Sequence, residues 1–226
     1  MLHSMRQFDD LTYVHSVNVA LIASIIGQWL KFSEKDIRIL TISGLLHDIG
    51  KIMIPNEILT KPGKLTVAEY NIMKQHVNFG YEKIKNQNID IQIKEACLLH
   101  HEKCDGTGYP FGLKSDHIPA VAKIIAIADV YDAMTSARVY RGALCPFEVI
   151  DTMYKDAFTK FEPEYILPFL KNVASSYINN DVRLSDGRIG KVVLINENAL
   201  SLPIVQCEDE FIDLSKTRGL TVSAIL

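Results

Sequence analysis

The chain has 226 residues, of which 48% are hydrophobic and 23% charged, which is typical of a globular protein with one main domain and a small appendage. The formal net charge of -3 excludes a protein that wraps long nucleic acid, because such binding needs many cations on one face, but it permits a small anionic ligand. The four cysteines form no C-x-x-C pair, and no stretch is typical of a signal peptide or a membrane span. We therefore expect a reduced, cytoplasmic protein without membrane insertion by this chain.

The first two predicted helices carry polar residues where core residues are expected. Apolar residues recur at helical spacing from Thr12 to Leu30, and His15 lies on their face. Ser33 is expected to cap a second helix, and the apolar face of that helix carries His47 and Lys51. The helical pattern begins close to the first residue, which leaves open a longer protein with an upstream region that senses a signal or mediates dimerisation.

The middle of the chain predicts two more helices and a loop. The capping box "TVAE" predicts a helix over residues 66–85, which carries His76. A shorter helix from about residue 91 ends at two adjacent histidines. The glycine-rich segment 105–112 cannot continue that helix, because glycine and proline interrupt it, so we predict a loop there.

The second half of the chain changes from helix to strand. A helix that begins near residue 116, with Pro119 in its first turn, places Asp129 and Asp132 on a mostly apolar face. Residues 147–177 continue as helix with an interruption at "FEPE".

A β-rich texture follows, with an Asp186-Gly187 turn between two runs of β-branched residues. Two further short strands are predicted at "PIVQC" and "EFIDL". The predicted fold is mainly α, a helical bundle around a metal centre, with a small C-terminal β appendage. The predicted domains are a helical domain over residues 1–177 and a β-rich extension over residues 178–226 that has no chemistry of its own.

Polar residues interrupt the apolar helix faces in an unusual number. A lone histidine on such a face is most often a hydrogen-bonded core residue, but burying many titratable groups without partners would cost on the order of several kcal/mol. A metal centre would pair them, and imidazole with carboxylate suits Fe, Mn, Zn or Ni. The residues concerned are His15, His47, Asp48, Lys51, His76, His100, His101, Asp129 and Asp132.

The adjacent pair His47 and Asp48 indicates two metals. Neighbouring side chains on a helix diverge by about 100°, so the short carboxylate is expected to bridge two ions while the histidine binds one of them. Two metals about 3.5 to 4 Å apart are a recurring device for hydrolysing phosphate esters. Lys51, one turn beyond His47, would lie near the centre without binding metal and would neutralise a phosphate oxygen or the leaving alkoxide.

Three segments of the chain closely resemble the HD-GYP family, the branch of the HD phosphohydrolases that cleaves cyclic di-GMP. These segments are "HDIGK" at 47–51, "HHEKCDGTGYP" at 100–110 and "IPAVAKIIAIADVYDAMTSARVYR" at 118–141, and the resemblance covers about residues 10–172. It implies a helical bundle around a bimetallic or trimetallic centre, often iron or manganese. It also implies hydrolysis of cyclic di-GMP to the linear dinucleotide pGpG and in some cases on to GMP.

Residue by residue, the resemblance assigns seven metal ligands. It gives the first metal His15, His47 and Asp129, gives the second metal His76, His100 and His101, and makes Asp48 the bridge. Asp48 and Lys51 become the catalytic residues, with Lys51 facing the phosphate. The predicted substrate-binding residues are Asp105, Gly106, Gly108, Tyr109, Pro110, Arg138 and Arg141, together with Asp132 as an acid that holds Lys51 or a substrate group.

The chain departs from the family pattern in a few places. Members with a third metal carry a glutamate four residues before the first histidine, and here that residue is Leu11, so we predict two divalent ions, Fe or Mn. Val139 and Glu162 replace the usual proline and aspartate and are expected to be structural.

Other polar residues near the motifs are not expected to bind metal. These are Glu102, Cys97 and Cys104, which lie close to the proposed ligands in the sequence, and His3 and His117, which we assign to the surface.

The main hypothesis is a metal-dependent cyclic di-GMP phosphodiesterase whose partner is its cyclic dinucleotide substrate. One alternative is an HD-type hydrolase of another cyclic dinucleotide, and another is a regulatory module that binds a cyclic dinucleotide or a partner protein without turnover. Retention of His47, Asp48, Lys51 and the "GYP" residues favours catalysis, because degenerate members usually lose some of them.

Overall fold

The computed structural model describes residues 10–136 and 144–226. The α-helices are α1 (Asp10–Trp29), α2 (Glu34–Leu46), α3 (Asn56–Leu59), α4 (Val67–Met73), α5 (His76–Ile84), α6 (Ile91–Leu99), α7 (Ala120–Thr135), α8 (Pro146–Asp156) and α9 (Pro163–Ser176). Short 3-10 helices cover Ile49–Met53, Ser115–His117 and Leu214–Lys216. The strands are β1 (Asp181–Leu184), β2 (Ile189–Leu194), β3 (Ile204–Cys207), β4 (Glu210–Asp213) and β5 (Val222–Ile225).

The predicted fold class, mainly α with a small C-terminal sheet, is confirmed. Within the described residues, no helix is both long enough and apolar enough to cross a membrane.

The chain divides into two compact units. Unit 1 contains the described residues up to Ala133 together with Thr159–Tyr165, and unit 2 contains the described residues of Met134–Phe158 and Ile166–Leu226. The β-sheet thus shares its unit with helical residues. The expected domain boundary between residues 177 and 178 stays a prediction.

Close backbone contact joins α1 and α2 in unit 1. Ser33 caps α2 as predicted, since its side chain accepts a hydrogen bond from the Asp36 backbone N–H at 3.2 Å. A Cβ atom at Gly44 would lie 2.5 Å from the Cα atom of Ala20, so only glycine lets the two helices approach this closely. Leu40 of α2 and Ile26 of α1 are fully buried in the core.

The predicted continuation of α2 to Lys51 is wrong. The α-helix ends at Leu46, and a 3-10 helix begins at Ile49. The 3-10 segment packs its backbone against α5, because a Cβ atom at Gly50 would lie 1.9 Å from the carbonyl oxygen of His76. His47 keeps helical backbone angles at the end of α2, and Asp48 follows it with φ -99° and ψ 10°.

The predicted helix over residues 66–85 is two helices. The capping box is present, with the Thr66 hydroxyl accepting from the Glu69 N–H and the Glu69 carboxylate accepting from the Thr66 N–H. The chain turns between α4 and α5, so His76 becomes the first residue of α5.

The helix expected from about residue 116 begins later than predicted. Ser115–His117 form a separate 3-10 turn, and α7 starts at Ala120, directly after Pro119. The helix thus avoids placing the proline ring against a preceding helical carbonyl group. Its buried side includes Ile124, Ile125 and Asp129.

Unit 2 contains an antiparallel sheet with strand order β4-β3-β2-β1-β5. The predicted turn between β1 and β2 is present, and Gly187 adopts a φ of +93° in it. β5 was not predicted, and it pairs with the edge of β1 and packs against α8. Val182, Val192 and Val205 form the buried side of the sheet.

Substitution of Gly50 tests the backbone contact that ends α2. We expect Gly50→Ala to lower the free energy of unfolding by about 3 kcal/mol or more, because the added methyl would overlap two backbone atoms of α5. Gly63→Ala is the matched control, since Gly63 has a φ of +113° but no atom within 4 Å of an added Cβ, and should cost about 1 to 2 kcal/mol. Urea denaturation with a chelator present measures both, and equal losses would contradict the contact's importance.

Candidate metal centre

Two groups of potential metal ligands lie in unit 1. The first ligand group is His15, His47 and Asp129, and the second ligand group is Asp48, His76, His100 and His101. Within each group the ligand atoms lie within 4.8 Å of one another. The structure thus brings together the residues that the family resemblance assigns to two metals, and metal binding by them stays a proposal.

Helix ends position several of these side chains. His47 is the C-cap of α2, Asp48 precedes the 3-10 helix, His76 opens α5 and His100 is the C-cap of α6. His15 and Asp129 instead project from the interiors of α1 and α7. Helix ends of α2, α5 and α6 and helix interiors of α1 and α7 thus supply the two ligand groups.

Asp48 lies between the two ligand groups. Its Oδ2 atom lies 3.2 Å from Nε2 of His47 and 3.8 Å from Nε2 of His15. Its Oδ1 atom lies 3.3 Å from Nε2 of His76 and 4.0 Å from Nε2 of His100. One oxygen therefore faces each group, which is the geometry that a bridging carboxylate requires.

Three of the histidines are held in the tautomer that a metal ligand needs. The Nδ1 atom of His47 donates to the Gly44 carbonyl at 2.8 Å, and that of His76 donates to the Met73 carbonyl at 2.8 Å. The Nδ1 atom of His100 donates to carbonyls of the preceding helical turn at 3.1 Å. Each Nε2 lone pair is thereby turned toward the centre, as is typical of metal-binding histidines.

Polar atoms without partners indicate that a cation fits here. Nε2 of His47 and Oδ1 of Asp48 are buried and have no hydrogen-bond partner within the described structure. Leaving such atoms unpaired is costly, and an acceptor nitrogen beside an acceptor oxygen calls for a positive ion. A His and Asp donor set without thiolates suits a divalent metal of the Fe, Mn, Zn or Ni type.

Burial keeps the histidines of the second ligand group neutral. It lowers the pKa of His100 well below the usual histidine value, with nearby His101 acting in the same direction. Burial also lowers the pKa of His101 to about 3 and that of His76 below its usual value, against the attraction of Asp129 and Asp48 respectively. Neutral imidazoles are ready to bind metal without losing a proton.

His15 differs from the other ligands because two carboxylates contact it. Its ring nitrogens lie 2.9 Å from Asp129 and 2.6 Å from Asp132. Burial opposes a charge on His15, but these carboxylates outweigh it and raise the pKa of His15 to about 9 in the protein without metal. A metal entering the first ligand group therefore displaces a proton from His15.

Lys51 contacts the bridging carboxylate. Its Nζ atom lies 2.5 Å from Oδ2 of Asp48, and the side chain is only 20% exposed. Burial raises the pKa of Asp48, but neighbouring His47 and the Lys51 ammonium outweigh it and hold that pKa well below the usual range. Lys51 thus lies beside the two ligand groups, and its expected contact with the phosphate stays a prediction.

The loop over residues 105–112, the GYP loop, lies against the second ligand group. The Tyr109 ring stacks on the His101 ring with centroids 4.8 Å apart and planes inclined by 27°. The Tyr109 N–H donates to the His101 carbonyl at 3.2 Å. A Cβ atom at Gly108 would lie 2.6 Å from that same carbonyl oxygen, so glycine is required for the loop to pack there.

Glu102 anchors the GYP loop, a role that the sequence did not reveal. Its buried carboxylate accepts hydrogen bonds from the backbone N–H groups of Phe111 (2.7 Å), Gly112 (3.1 Å) and Leu113 (2.9 Å). Three consecutive donors fix the direction in which the chain leaves Pro110. The available signal was an acid directly after the paired histidines and before a glycine-rich loop.

The remaining predicted substrate residues fall in different places. Asp105 is exposed, and its carboxylate accepts from the backbone and hydroxyl of Thr107, so it shapes the loop. Gly106 adopts a φ of +83° in the same turn. Asp132 contacts His15 at 2.6 Å and accepts from Asn18 at 2.9 Å, and its expected role in holding Lys51 or a substrate group stays a prediction.

Some predictions concern residues outside the described part of the chain, namely Arg138, Val139, Arg141 and His3.

The neighbouring polar residues behave as structural groups. The Glu162 carboxylate binds Lys123 and Ser115, both at 2.5 Å. Cys97 is buried, burial raises the pKa of its thiol, and its sulfur donates to the His47 carbonyl at 3.4 Å. Neither Cys97 nor Cys104 belongs to a ligand group of the described structure, and His117 is exposed.

The model of the HD domain family matches residues 6–165. Since this is more than half of the chain, the protein belongs to the HD domain family. The resemblance predicted from its motifs is confirmed by its relatives: Cyclic di-GMP phosphodiesterase PA4108 of Pseudomonas aeruginosa is 36% identical over 203 residues, which cover 89% of this chain and 49% of that protein. The chain thus spans about half the length of this relative.

Two further comparisons extend the likeness. The protein 3'3'-cGAMP-specific phosphodiesterase 2 of Vibrio cholerae is 35% identical over 157 residues, which cover 69% of this chain and 30% of the relative. The solved structure of Bd1817, an HDG"Y"P protein from Bdellovibrio bacteriovorus, superposes with a TM-score of 0.57 at 22% identity, covering 69% of this chain and 50% of that chain. This structural likeness supports the fold.

The protonated His15 predicts a pH dependence of metal binding. Below pH 9 each metal that enters the first ligand group must displace a proton, so we expect Mn²⁺ affinity to increase by up to about tenfold per pH unit from pH 7 and to level off above about pH 9. Competition with a chelator measures this. Asp132→Asn should move the levelling to lower pH, because it removes one of the carboxylates that stabilise the charged imidazole. An affinity independent of pH would refute the assignment.

The loop anchor is tested by Glu102→Gln. The amide offers one acceptor oxygen in place of two, so at least one of the three N–H groups loses its partner at a cost of about 1 to 3 kcal/mol. We expect faster amide hydrogen exchange at residues 111–113 with unchanged metal content. Asp105→Asn is the control, because that exposed carboxylate contacts only Thr107 among the bonds described above. Unchanged exchange in Glu102→Gln would contradict the anchoring role.

Proposed function

We propose that the chain is a metal-dependent phosphodiesterase that hydrolyses cyclic di-GMP to linear pGpG in bacterial second-messenger signalling. One observation carries this proposal: Asp48 faces both ligand groups while Lys51 contacts the same carboxylate. PA4108, whose alignment covers 89% of this chain, is named a cyclic di-GMP phosphodiesterase.

The ligand groups suit two divalent ions, which we propose to be Fe or Mn. When bound, such ions supply a nucleophile from water and withdraw charge from the phosphate. His15, His47 and Asp129 would hold one ion and His76, His100 and His101 the other, with Asp48 shared. The sequence has Leu11 where members with a third metal carry a glutamate, so we propose two ions.

The chain's own residues account for orientation and charge. The Lys51 ammonium lies where it can pair with a phosphate oxygen or with the departing 3′ oxygen, stabilising negative charge as it develops. The half-buried Tyr109 stacks on His101 of the second ligand group, and burial raises the pKa of its phenol so that it stays protonated as a hydrogen-bond donor.

A second candidate substrate is a mixed cyclic dinucleotide. The relative in Vibrio cholerae that carries the name 3'3'-cGAMP-specific phosphodiesterase 2 aligns with 69% of this chain. It shows that the family scaffold serves more than one cyclic dinucleotide. Cyclic di-GMP and a mixed cyclic dinucleotide share the phosphodiester that the ligand groups and Lys51 would contact. Those described residues therefore do not discriminate between the bases.

Direct turnover tests the proposal. Protein purified without oxygen, with its metal content assayed, is incubated with cyclic di-GMP and separately with 3'3'-cGAMP, and products are followed by chromatography. We expect pGpG from cyclic di-GMP. Cleavage of 3'3'-cGAMP alone would support the second candidate. If protein with two bound Fe or Mn ions cleaved neither substrate, the enzyme hypothesis would fail and a regulatory module that binds without turnover would remain.

Two substitutions separate metal binding from rate in the same assay. Asp48→Ala should lose both metals and all activity, because it removes the shared ligand. Lys51→Met should retain metal but lower kcat by roughly 100-fold or more, because the cation beside the developing charge is lost. Lys35→Met, on the exposed side of α2, is the control and should leave both unchanged. Normal turnover by Lys51→Met would contradict the role of that lysine.

A further inference from the structure

Lys74 lies at the junction between α4 and α5, beside the GYP loop. Its ammonium lies 5.3 Å from the centre of the Tyr70 ring and 5.9 Å from the centre of the Tyr109 ring. A cation over aromatic faces is attracted to them, and two rings restrict its position more than one does. The half-buried Lys74 side chain is thus held at a defined place rather than extended into solvent.

The charge of Lys74 is not offset by a carboxylate. Among the described residues Lys74 forms no ion pair, whereas Lys51 contacts Asp48 and Lys61 contacts Glu69 at 2.7 Å. An ammonium that is partly withdrawn from water, and contacted by aromatic rings alone, retains hydrogen-bond donors for an anionic ligand.

One aromatic ring separates Lys74 from the second ligand group. Tyr109 contacts the Lys74 ammonium and also stacks on His101. The same tyrosine lies 6.5 Å, centre to centre, from the His76 ring. A ligand centred on the two ligand groups and extending over Tyr109 therefore reaches Lys74.

We propose that Lys74 binds the second phosphate of a cyclic dinucleotide whose first phosphate lies at the ligand groups. The inference rests on the proposed function and deepens it. The two phosphates occupy opposite sides of such a ring, so they cannot both contact Lys51, and the outer phosphate needs a cation of its own. A compact ammonium suits a phosphate oxygen as a point charge. The alternative contact is the edge of a purine base, which the planar guanidinium of an arginine binds better than the ammonium of a lysine does.

Comparison of two substrates tests this assignment in the metal-loaded protein. Bis(p-nitrophenyl) phosphate has a single phosphodiester, so Lys74→Met should leave its turnover unchanged. For cyclic di-GMP the same variant should raise KM roughly tenfold or more, with a smaller change in kcat, because a charge-assisted contact is lost from the bound substrate. Lys74→Arg should restore most of the affinity, and Lys83→Met, on the exposed side of α5, is the matched control.

The outcomes separate this inference from the proposed function. If the wild-type protein cleaves only the single phosphodiester, the proposed function fails. If it cleaves cyclic di-GMP and Lys74→Met retains the wild-type KM, the role of Lys74 fails. Equal losses for cyclic di-GMP and 3'3'-cGAMP support the phosphate contact, whereas a loss in proportion to the number of guanines would overturn it in favour of a base contact. If Lys74→Met lost as much activity on bis(p-nitrophenyl) phosphate as on the cyclic dinucleotides, the loss would indicate structural damage, and the role of Lys74 would also be overturned.

Discussion

The burial of Asp48 among imidazoles is the constraint on which the rest of unit 1 depends. A carboxylate that is 1% exposed cannot keep its charge without nearby positive charge or strong donors. Lys51 supplies one cation directly, but it contacts Oδ2, and Oδ1 has no hydrogen-bond partner within the described structure. The imidazoles on the Oδ1 side are kept neutral by burial, so they do not supply the missing charge. Oδ1 and the neutral rings beside it therefore form a donor set that suits a cation.

Close backbone contacts at two glycines, together with the end of α2, make the burial of Asp48 possible. Gly50 lets the 3-10 segment touch the backbone of α5, and Gly44 lets α1 touch α2. Without these contacts the five segments that supply ligands could not converge within the reach of one short carboxylate. At the end of α2, the adjacent residues His47 and Asp48 both belong to the ligand groups, with Nε2 of His47 3.2 Å from Oδ2 of Asp48.

Sequence periodicity singled out His15, His76 and Asp129 as candidate ligands, because a histidine or aspartate on an apolar face is unusual, and the family resemblance assigned them to two metals. It missed features that depend on tertiary contacts. The face of α2 extends in phase to Lys51, so no local signal marked the end of the helix. Glu102 looked like an ordinary loop acid, and its three backbone partners become adjacent only when the loop folds. β5 has a weak strand pattern in the sequence. It forms because it pairs with β1, which lies about forty residues earlier in the chain.

Direct contacts join the second ligand group to the GYP loop. His101 belongs to the second ligand group, its carbonyl accepts from Tyr109, and its ring stacks on the Tyr109 ring. Glu102, the next residue, holds the far end of the same loop through three N–H groups. A ligand that moves Tyr109 must therefore move His101 as well, or break the hydrogen bond and the ring contact that join them. The position of Tyr109 and the position of His101 are consequently coupled, and in the proposed enzyme this contact would link substrate binding to the second ligand group.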